Sequence, residues 1–305
     1  MNRWIIGARP KTLPAAVVPV ALGTACAVGL PRNAGWWSAE SDSMLVWSDG
    51  GPVWWRVAAA LVVSLALQVG VNYANDYSDG VRGTDDVRVG PARLVASGLA
   101  PAKAVKLAAY AAFGVAAVAG LAIALATSLW LIAVGVAAIA AGWFYTGGPK
   151  PYGYLGLGEV FVFVFFGLVA TAGTTYAATG TWTPLSVIIG CAAGSLACAL
   201  LVINNLRDIP TDREVGKKTL AVRLGDARTR WFYVLLIVCA FALVVDAGFH
   251  RTWAVLGLLA VPFAIAPSRT VLGGATGHAL IPVLGATGRL QMALGVLTTI
   301  GLAID

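Results

Sequence analysis

Two stretches of this chain concentrate carboxylates and carboxamides in a way that could do chemistry. One is Asn72-Tyr73-Ala74-Asn75-Asp76-Tyr77-Ser78-Asp79-Gly80, continuing through Arg82-Gly83-Thr84-Asp85-Asp86. The other is Asn204-Asn205-Leu206-Arg207-Asp208-Ile209-Pro210-Thr211-Asp212-Arg213-Glu214. In the first, Gln68, Asn72, Asn75, Asp76 and Asp79 fall at i, i+4, i+7, i+8 and i+11, which is one face of a helix. In the second, Asn204 and Asp208 are again four apart, and Pro210 is expected to end or kink the helix just before it, leaving Asp212 in the following turn. Oxygen donors of this kind suit Mg²⁺, a hard ion that prefers carboxylates, water and substrate phosphates. Basic residues flank both groups: Arg82, Arg88 and Arg93 near the first, and Arg207, Lys217, Lys218 and Arg223 near the second. Carboxylates that hold metal, beside cations that hold phosphate oxygens, describe a diphosphate site. The plainer alternative is a set of solvated loop charges that enforce topology, and for any single Arg or Lys both readings stay open.

The elements that must position these groups are membrane helices. Of 305 residues, 59% are hydrophobic and 11% charged, whereas a soluble domain carries about a quarter charged residues. The apolar residues come in blocks of roughly 20, the length that crosses a bilayer core, where helices satisfy their own backbone. The expected fold is all-α and polytopic, with about nine transmembrane helices around a central cavity and a single domain over 1–305. The spans fall near 13–30, 54–75, 103–124, 128–146, 157–178, 185–205, 231–249, 252–272 and 286–304. Ala, Gly and Ser are dense throughout, which suits close helix packing in lipid. The two polar groups lie at equivalent ends of the second and sixth spans, so the chain reads as two similar halves facing one another. A polar stripe on an apolar membrane helix is costly, at roughly 2.5–3.5 kcal/mol per charge, and should therefore face a cavity.

Among 21 Lys and Arg, only Arg32, Arg56 and Arg251 fall outside if the N-terminus is cytoplasmic. This bias is the positive-inside pattern of a cell-membrane protein with its N-terminus and polar loops in the cytoplasm. Topology thus accounts for the net charge of +7, and no nucleic-acid partner is needed. Arg3, Arg9 and Lys11 before an apolar stretch imitate a signal peptide, but eight further spans follow. The segment from Pro31 to Pro52, with Trp36, Trp37 and Trp47, reads as an interfacial loop with aromatic anchors, or as a lid. Cys26, Cys191, Cys198 and Cys239 lie inside spans without metal-ligand spacing, and neither His250 nor His278 reads as a ligand.

The stretch Asn72 to Asp85 resembles the first aspartate-rich motif of the UbiA superfamily of intramembrane prenyltransferases, and Asp208 to Asp212 resembles its second. Further stretches are similar to the 1,4-dihydroxy-2-naphthoate branch of that family. They are Arg9-Pro10-Lys11-Thr12-Leu13-Pro14-Ala15, Gly90-Pro91-Ala92-Arg93-Leu94 and Tyr145-Thr146-Gly147-Gly148-Pro149. Leu157-Gly158-Glu159, Gly216-Lys217-Lys218-Thr219-Leu220-Ala221-Val222 and Gly288-Arg289-Leu290-Gln291 complete the series. The resemblance runs from end to end. One departure stands out: the broader pattern places a further Asp where this chain has Gly83, and Asp85 or Asp86 is then the replacement.

The resemblance implies an Mg²⁺-dependent transfer of a polyprenyl group from its diphosphate to 1,4-dihydroxy-2-naphthoate, with carboxylate loss giving demethylmenaquinone. It implies metal ligation by Asp76, Asp79, Asp208 and Asp212, joined by Asp85. Diphosphate contacts would come from Asn72, Asn75, Arg82, Arg88, Arg93, Asn204, Arg207, Lys217 and Arg223. Lys11 and Arg9 would hold the acceptor carboxylate or serve as topology charges. Glu159 would act in the site, and Tyr145 and Tyr152 would line the aromatic pocket or anchor the interface. The bilayer is the solvent for the isoprenoid tail.

Other acceptors in the same family, namely a hydroxybenzoate, a homogentisate or haem, remain alternatives. Asp76 to Gly80 also satisfies the Asp-x-x-Asp-Gly start of CDP-alcohol phosphotransferases, but Gly83-Thr84 stands where that family has Ala-Arg. From a different class, an ion-coupled transporter also uses paired intramembrane carboxylates, although such groups usually sit near the midplane in broken helices.

Overall fold

The computed structural model describes residues 2–30, 51–84 and 93–305. Among them every element is helical. Seven helices are long and apolar enough to cross a membrane. They are α3 (Trp54–Arg82), α4 (Ala102–Ala126), Gly158–Thr179, α8 (Pro184–Glu214), α10 (Asp226–Gly248), Thr252–Leu272 and Gly277–Ile304. Two further elements complete the expected set. The first is a pair bent by 49°, in which α1 (Arg3–Ala8) and the turn Pro10–Thr12 lead into α2 (Pro14–Ala27). The second is α5 (Trp130–Phe144), whose 15 residues are short for a span.

The span Gly158–Thr179 is not uniform. It starts as α6 (Gly158–Val162), widens into a π-helical stretch over Phe163–Val169 and resumes as α7 (Ala170–Thr179). π turns inside α-helices are frequent at functional sites, and here the widened stretch lies against α8. Gly167 makes that approach possible: a Cβ there would stand 2.5 Å from the Cα of Gly194 and 2.7 Å from the carbonyl of Gly190. Small residues let membrane helices pack backbone to backbone. After α8 the chain forms α9 (Leu220–Leu224), then α10. The next span opens as 3₁₀ over Thr252–Ala260 and continues as α11 (Val261–Leu272).

The last span differs from its expected limits. Helix α12 runs Leu280–Ile304, six residues earlier than 286. Pro282 falls in its first turn, where a missing N–H costs nothing, so the proline does not delay the start. Helix α8 also differs: it continues through Pro210 to Glu214, so Asp212 stands on the helix and not in a turn after it. Pro210 removes only the bond to one carbonyl. The turn around it is held by Thr211 Oγ1 donating to the Asp208 carbonyl at 3.1 Å, and the helix end by Lys217 N–H donating to the Asp212 carbonyl at 2.8 Å.

Each motif helix packs on the next membrane-spanning helix, α3 on α4 and α8 on α10, which repeats one arrangement in two halves. Helix α2 touches α3, α7, α8 and α12 and so ties the halves together. Trp54, Trp55, Trp130, Trp182 and Trp253 are exposed at the helix ends opposite the motifs, an aromatic girdle of the kind found at bilayer interfaces. The two described basic residues at that end are committed to helix carbonyls. Arg56 donates to Ala126 O at 2.8 Å, and Arg251 donates to Ala25 O, Val28 O and Leu302 O. Those bonds satisfy carbonyls that helix ends leave open.

Candidate active site

Helix α3 extends past its apolar part to Arg82, so all five members of the polar stripe lie on one continuous helix, and all five are buried. Burial without partners is costly, and the partners are specific. Gln68 Nε2 and Asn72 Nδ2 donate to Thr12 Oγ1 at 3.0 and 3.1 Å, and Asn72 Nδ2 also donates to Ala8 O at 2.9 Å. These bonds fix the bent entrance against α3. They hold Arg9 in a left-handed conformation (φ 53°), with its guanidinium donating to the Asn72 carbonyl. A non-glycine residue there is strained and persists only when its surroundings over-determine it.

One turn further on, Asn75 Oδ1 accepts from Thr146 Oγ1 at 2.8 Å. Asp79 Oδ1 accepts from the Tyr154 hydroxyl at 2.6 Å, and its Oδ2 lies 3.5 Å from Lys217 Nζ. Opposite, Asp208 is gripped by its neighbour: Arg207 Nε and Nη2 donate to the two carboxylate oxygens at 2.7 Å each. Asn204, Asp208 and Asp212 stand at i, i+4 and i+8 on α8, one face of the helix.

These groups converge on a cavity of about 1400 Å³, larger than the few hundred to about 1,000 Å³ of ordinary small-molecule pockets. Its polar end carries Asn72, Asn75, Asp79, Arg93, Asn204, Arg207, Asp208, Asp212 and Lys217, with Arg9 and Lys11 from the entrance. Its remaining wall is apolar, with Val63, Leu67, Ile123, Ile132, Ile139, Phe165 and Val169. Tyr145 and Tyr152 also line it, in edge contact with ring centroids 5.6 Å apart. Tyr152 in turn stacks on Phe161 at 4.0 Å, which extends the aromatic wall into the widened helix.

Five residues singled out in the sequence lie outside this lining, the exposed Lys218 among them. Asp76 turns away, and its carboxylate accepts the backbone N–H groups of Leu94 and Val95 at 2.9 and 3.0 Å. Arg82 is exposed and donates to the carbonyls of Thr146 and Gly148. Arg223, also exposed, donates to Lys218 O at 3.2 Å. Glu159 is buried at the start of α6; Oε1 accepts from Asn205 Nδ2 at 2.9 Å while Oε2 has no partner. Asp85, Asp86, Arg88, the stretch from Gly90 to Ala92 and the loop 31–50 lie outside the described residues.

Three contributors carried no sequence signal of their own role. Thr12 and Thr146 accept from or donate to the motif amides, and Tyr154 holds Asp79. Tyr154 sits in the turn Tyr152–Leu155, 75 residues from its partner, where no periodicity links the two. Burial, then the nearby Asp79 charge, raises its pKa above the ordinary phenol value. The hydroxyl is thus a donor throughout the neutral range.

The donor set fits a hard divalent cation. Asp79, Asp208 and Asp212, with the amide of Asn75, present oxygen to the same end of the cavity from two facing helices, and among the described residues no Cys or His lines it. Among the described residues no three His, Cys, Asp or Glu side chains form a ready-made cluster; Asp79 comes from α3 and pairs with Lys217, while Asp208 and Asp212 come from α8 and Asp208 pairs with Arg207.

A polytopic helical fold whose buried carboxylates close one end of an apolar chamber defines a membrane-embedded enzyme acting where an anionic head meets a lipid tail. The chain belongs to the UbiA prenyltransferase family, whose model matches residues 15–293. It is similar to a protein of Mycobacterium tuberculosis named 1,4-dihydroxy-2-naphthoate octaprenyltransferase, at 49% identity over 98% of this chain and 96% of that one. A protein of Escherichia coli with the same name is 34% identical over 99% of this chain and 95% of its own length. The fold is shared with the solved structure of a UbiA homolog from Archaeoglobus fulgidus bound to DMAPP and Mg²⁺, with a TM-score of 0.62 at 15% identity and all of both chains covered.

Proposed function

We propose that the chain, as one domain over 1–305, transfers a polyprenyl group from polyprenyl diphosphate to 1,4-dihydroxy-2-naphthoate. Loss of the acceptor carboxylate then gives demethylmenaquinone in its reduced form. The observation that carries this reading is the juxtaposition of two motif helices, with Asn75 and Asp79 facing Asp208 and Asp212, at the polar end of an apolar cavity. The names of the two full-length relatives support the choice of acceptor. The relative solved with Mg²⁺ supports the choice of ion.

Asp79, Asp208, Asp212 and Asn75 are the residues that would hold Mg²⁺, which when bound supplies Lewis-acid neutralisation of the leaving diphosphate. Lys217, Arg207 and Arg93 line the same end and bind the diphosphate oxygens, so that charge developing as the carbon–oxygen bond breaks meets fixed cations. The apolar wall excludes water from the allylic cation, which hydrolysis would otherwise consume. Tyr145, Tyr152 and Phe161 offer flat faces to the naphthoate ring, and Arg9 and Lys11 face its carboxylate. The electron-rich ring then attacks the allylic carbon, and CO₂ leaves with the prenylated ring rearomatised. The tail lies along the apolar part of the chamber. The protein sits in the cell membrane with its N-terminus and motif loops in the cytoplasm, the side favoured by all but three of its basic residues.

The test is acceptor choice in proteoliposomes supplied with labelled polyprenyl diphosphate and Mg²⁺. Prenylated product from 1,4-dihydroxy-2-naphthoate, and none from 4-hydroxybenzoate, is the expected result. Product from 4-hydroxybenzoate alone would keep the family and refute the acceptor.

A further inference from the structure

The turn between α5 and α6 carries a residue that touches the first motif and the basic stretch after the second. Tyr154 has its hydroxyl on Asp79 Oδ1 at 2.6 Å and its ring under Lys217, whose ammonium lies 4.6 Å from the ring centroid. Lys217 in turn lies 3.5 Å from the other oxygen of Asp79. The three side chains close a triangle from three separate segments: the end of α3, the turn Tyr152–Leu155 and the loop after α8. Tyr154 itself lines the cavity.

We propose that Tyr154 is a positioning residue with two separable actions: its hydroxyl orients Asp79 for a divalent cation, and its ring carries Lys217 at the place where the diphosphate binds. This deepens the reading of the site as a diphosphate-dependent prenyltransferase and rests on it. With one oxygen held by an O–H donor, the carboxylate cannot rotate freely, so Oδ2 stays directed into the site. Lys217 occupies that oxygen as a stand-in cation. When a divalent ion takes Oδ2, the ammonium is displaced but stays on the ring face, within reach of the phosphate oxygens that arrive with the ion. A cation–π contact leaves the ammonium N–H groups available for such bonds.

The test separates the two actions in the full-length, detergent-solubilised protein. Tyr154→Phe keeps the ring and removes the hydroxyl. Its expected effect is a loss of Mn²⁺ affinity of about ten-fold, the scale of one charge-assisted hydrogen bond, read by electron paramagnetic resonance with inorganic pyrophosphate present. At saturating Mg²⁺ its KM for prenyl diphosphate is expected to match wild type. Tyr154→Leu removes both features and is expected to raise that KM as well, by about five- to ten-fold for a lost cation–π contact. Lys217→Met should reproduce the KM rise, which keeps the ring action testable should Tyr154→Leu fail to fold. Unchanged Mn²⁺ affinity in Tyr154→Phe, or a KM for Tyr154→Leu and Lys217→Met equal to that of Tyr154→Phe, overturns the proposal. The Mn²⁺ measurement needs no prenyl acceptor. Failure of the acceptor assignment therefore shows as absent transfer in wild type, whereas failure of the positioning role shows in the metal titration.

Discussion

The carboxylate of Asp76 accepts the backbone N–H of Leu94 at 2.9 Å, and through the adjacent bond to Val95 it pins the turn that carries Arg93 into the cavity. Asp76 is 1% exposed and shares a helix face with residues that do line the cavity, yet it faces the neighbouring turn. Asp76→Ala would orphan the buried N–H of Leu94 and the part-buried N–H of Val95 and is expected to cost about 2–3 kcal/mol of stability. Thermal unfolding in detergent should register that loss, with a raised KM for the diphosphate as Arg93 loses its seat. Asp79→Asn, by contrast, is expected to abolish transfer while leaving the unfolding temperature close to wild type.

Glu159 lies behind the cavity wall, with Asn205 donating to one oxygen and the other unpartnered. Glu159→Gln retains an acceptor for Asn205 and is expected to keep the fold and most of the transfer rate. Glu159→Ala leaves the Asn205 amide without its partner and should lower stability by about 1–2 kcal/mol. A large rate loss in the Gln variant with an unchanged unfolding temperature would place Glu159 in the chemistry.

Gly167 tests the close packing of the widened helix on α8. A methyl group there meets backbone at 2.5 Å, and backbone cannot swing aside as a side chain can. Gly167→Ala is expected to destabilise by about 1–3 kcal/mol, the usual range for overpacking. Unfolding of the purified variant measures it directly.

Chain length should respond to the apolar end of the chamber. Gly135 on α5 lines the cavity, and a Cβ there meets nothing within 4 Å. Gly135→Leu is expected to cut use of a long prenyl diphosphate by at least about ten-fold through steric exclusion, while a ten-carbon donor is used as before. Competition between the two donors at equal concentration gives the ratio.

Much of this architecture was legible in the sequence because it follows from periodicity and solvation. Apolar blocks announced the spans, and the spacing from Gln68 to Asp79 placed a buried polar stripe on α3. The same spacing could not separate Asp76 from Asp79. Both fall on one broad face, and the choice between cavity and turn is made by a contact with Leu94, 18 residues away. Pro210 misled for a related reason: a proline near a helix end costs only one bond, and the helix runs through it to Glu214 with Thr211 donating to the Asp208 carbonyl beside it. Arg82 and Arg223 carried the right charge near the right motif, but their guanidinium groups are spent on backbone carbonyls and neither residue lines the cavity. Tyr154 was invisible because its partners, Asp79 and Lys217, come from segments that only the tertiary fold brings together.

The central claim is that carboxylates on two facing helices act as one metal-dependent site. The most direct measurement is transfer of labelled polyprenyl groups to 1,4-dihydroxy-2-naphthoate in proteoliposomes, comparing wild type, Asp79→Ala and Asp208→Ala, each with Mg²⁺ and with chelator. The account expects product only in wild type with Mg²⁺, and loss of it in both variants. Product that persists in the chelator, or in either variant at the wild-type rate, would contradict it.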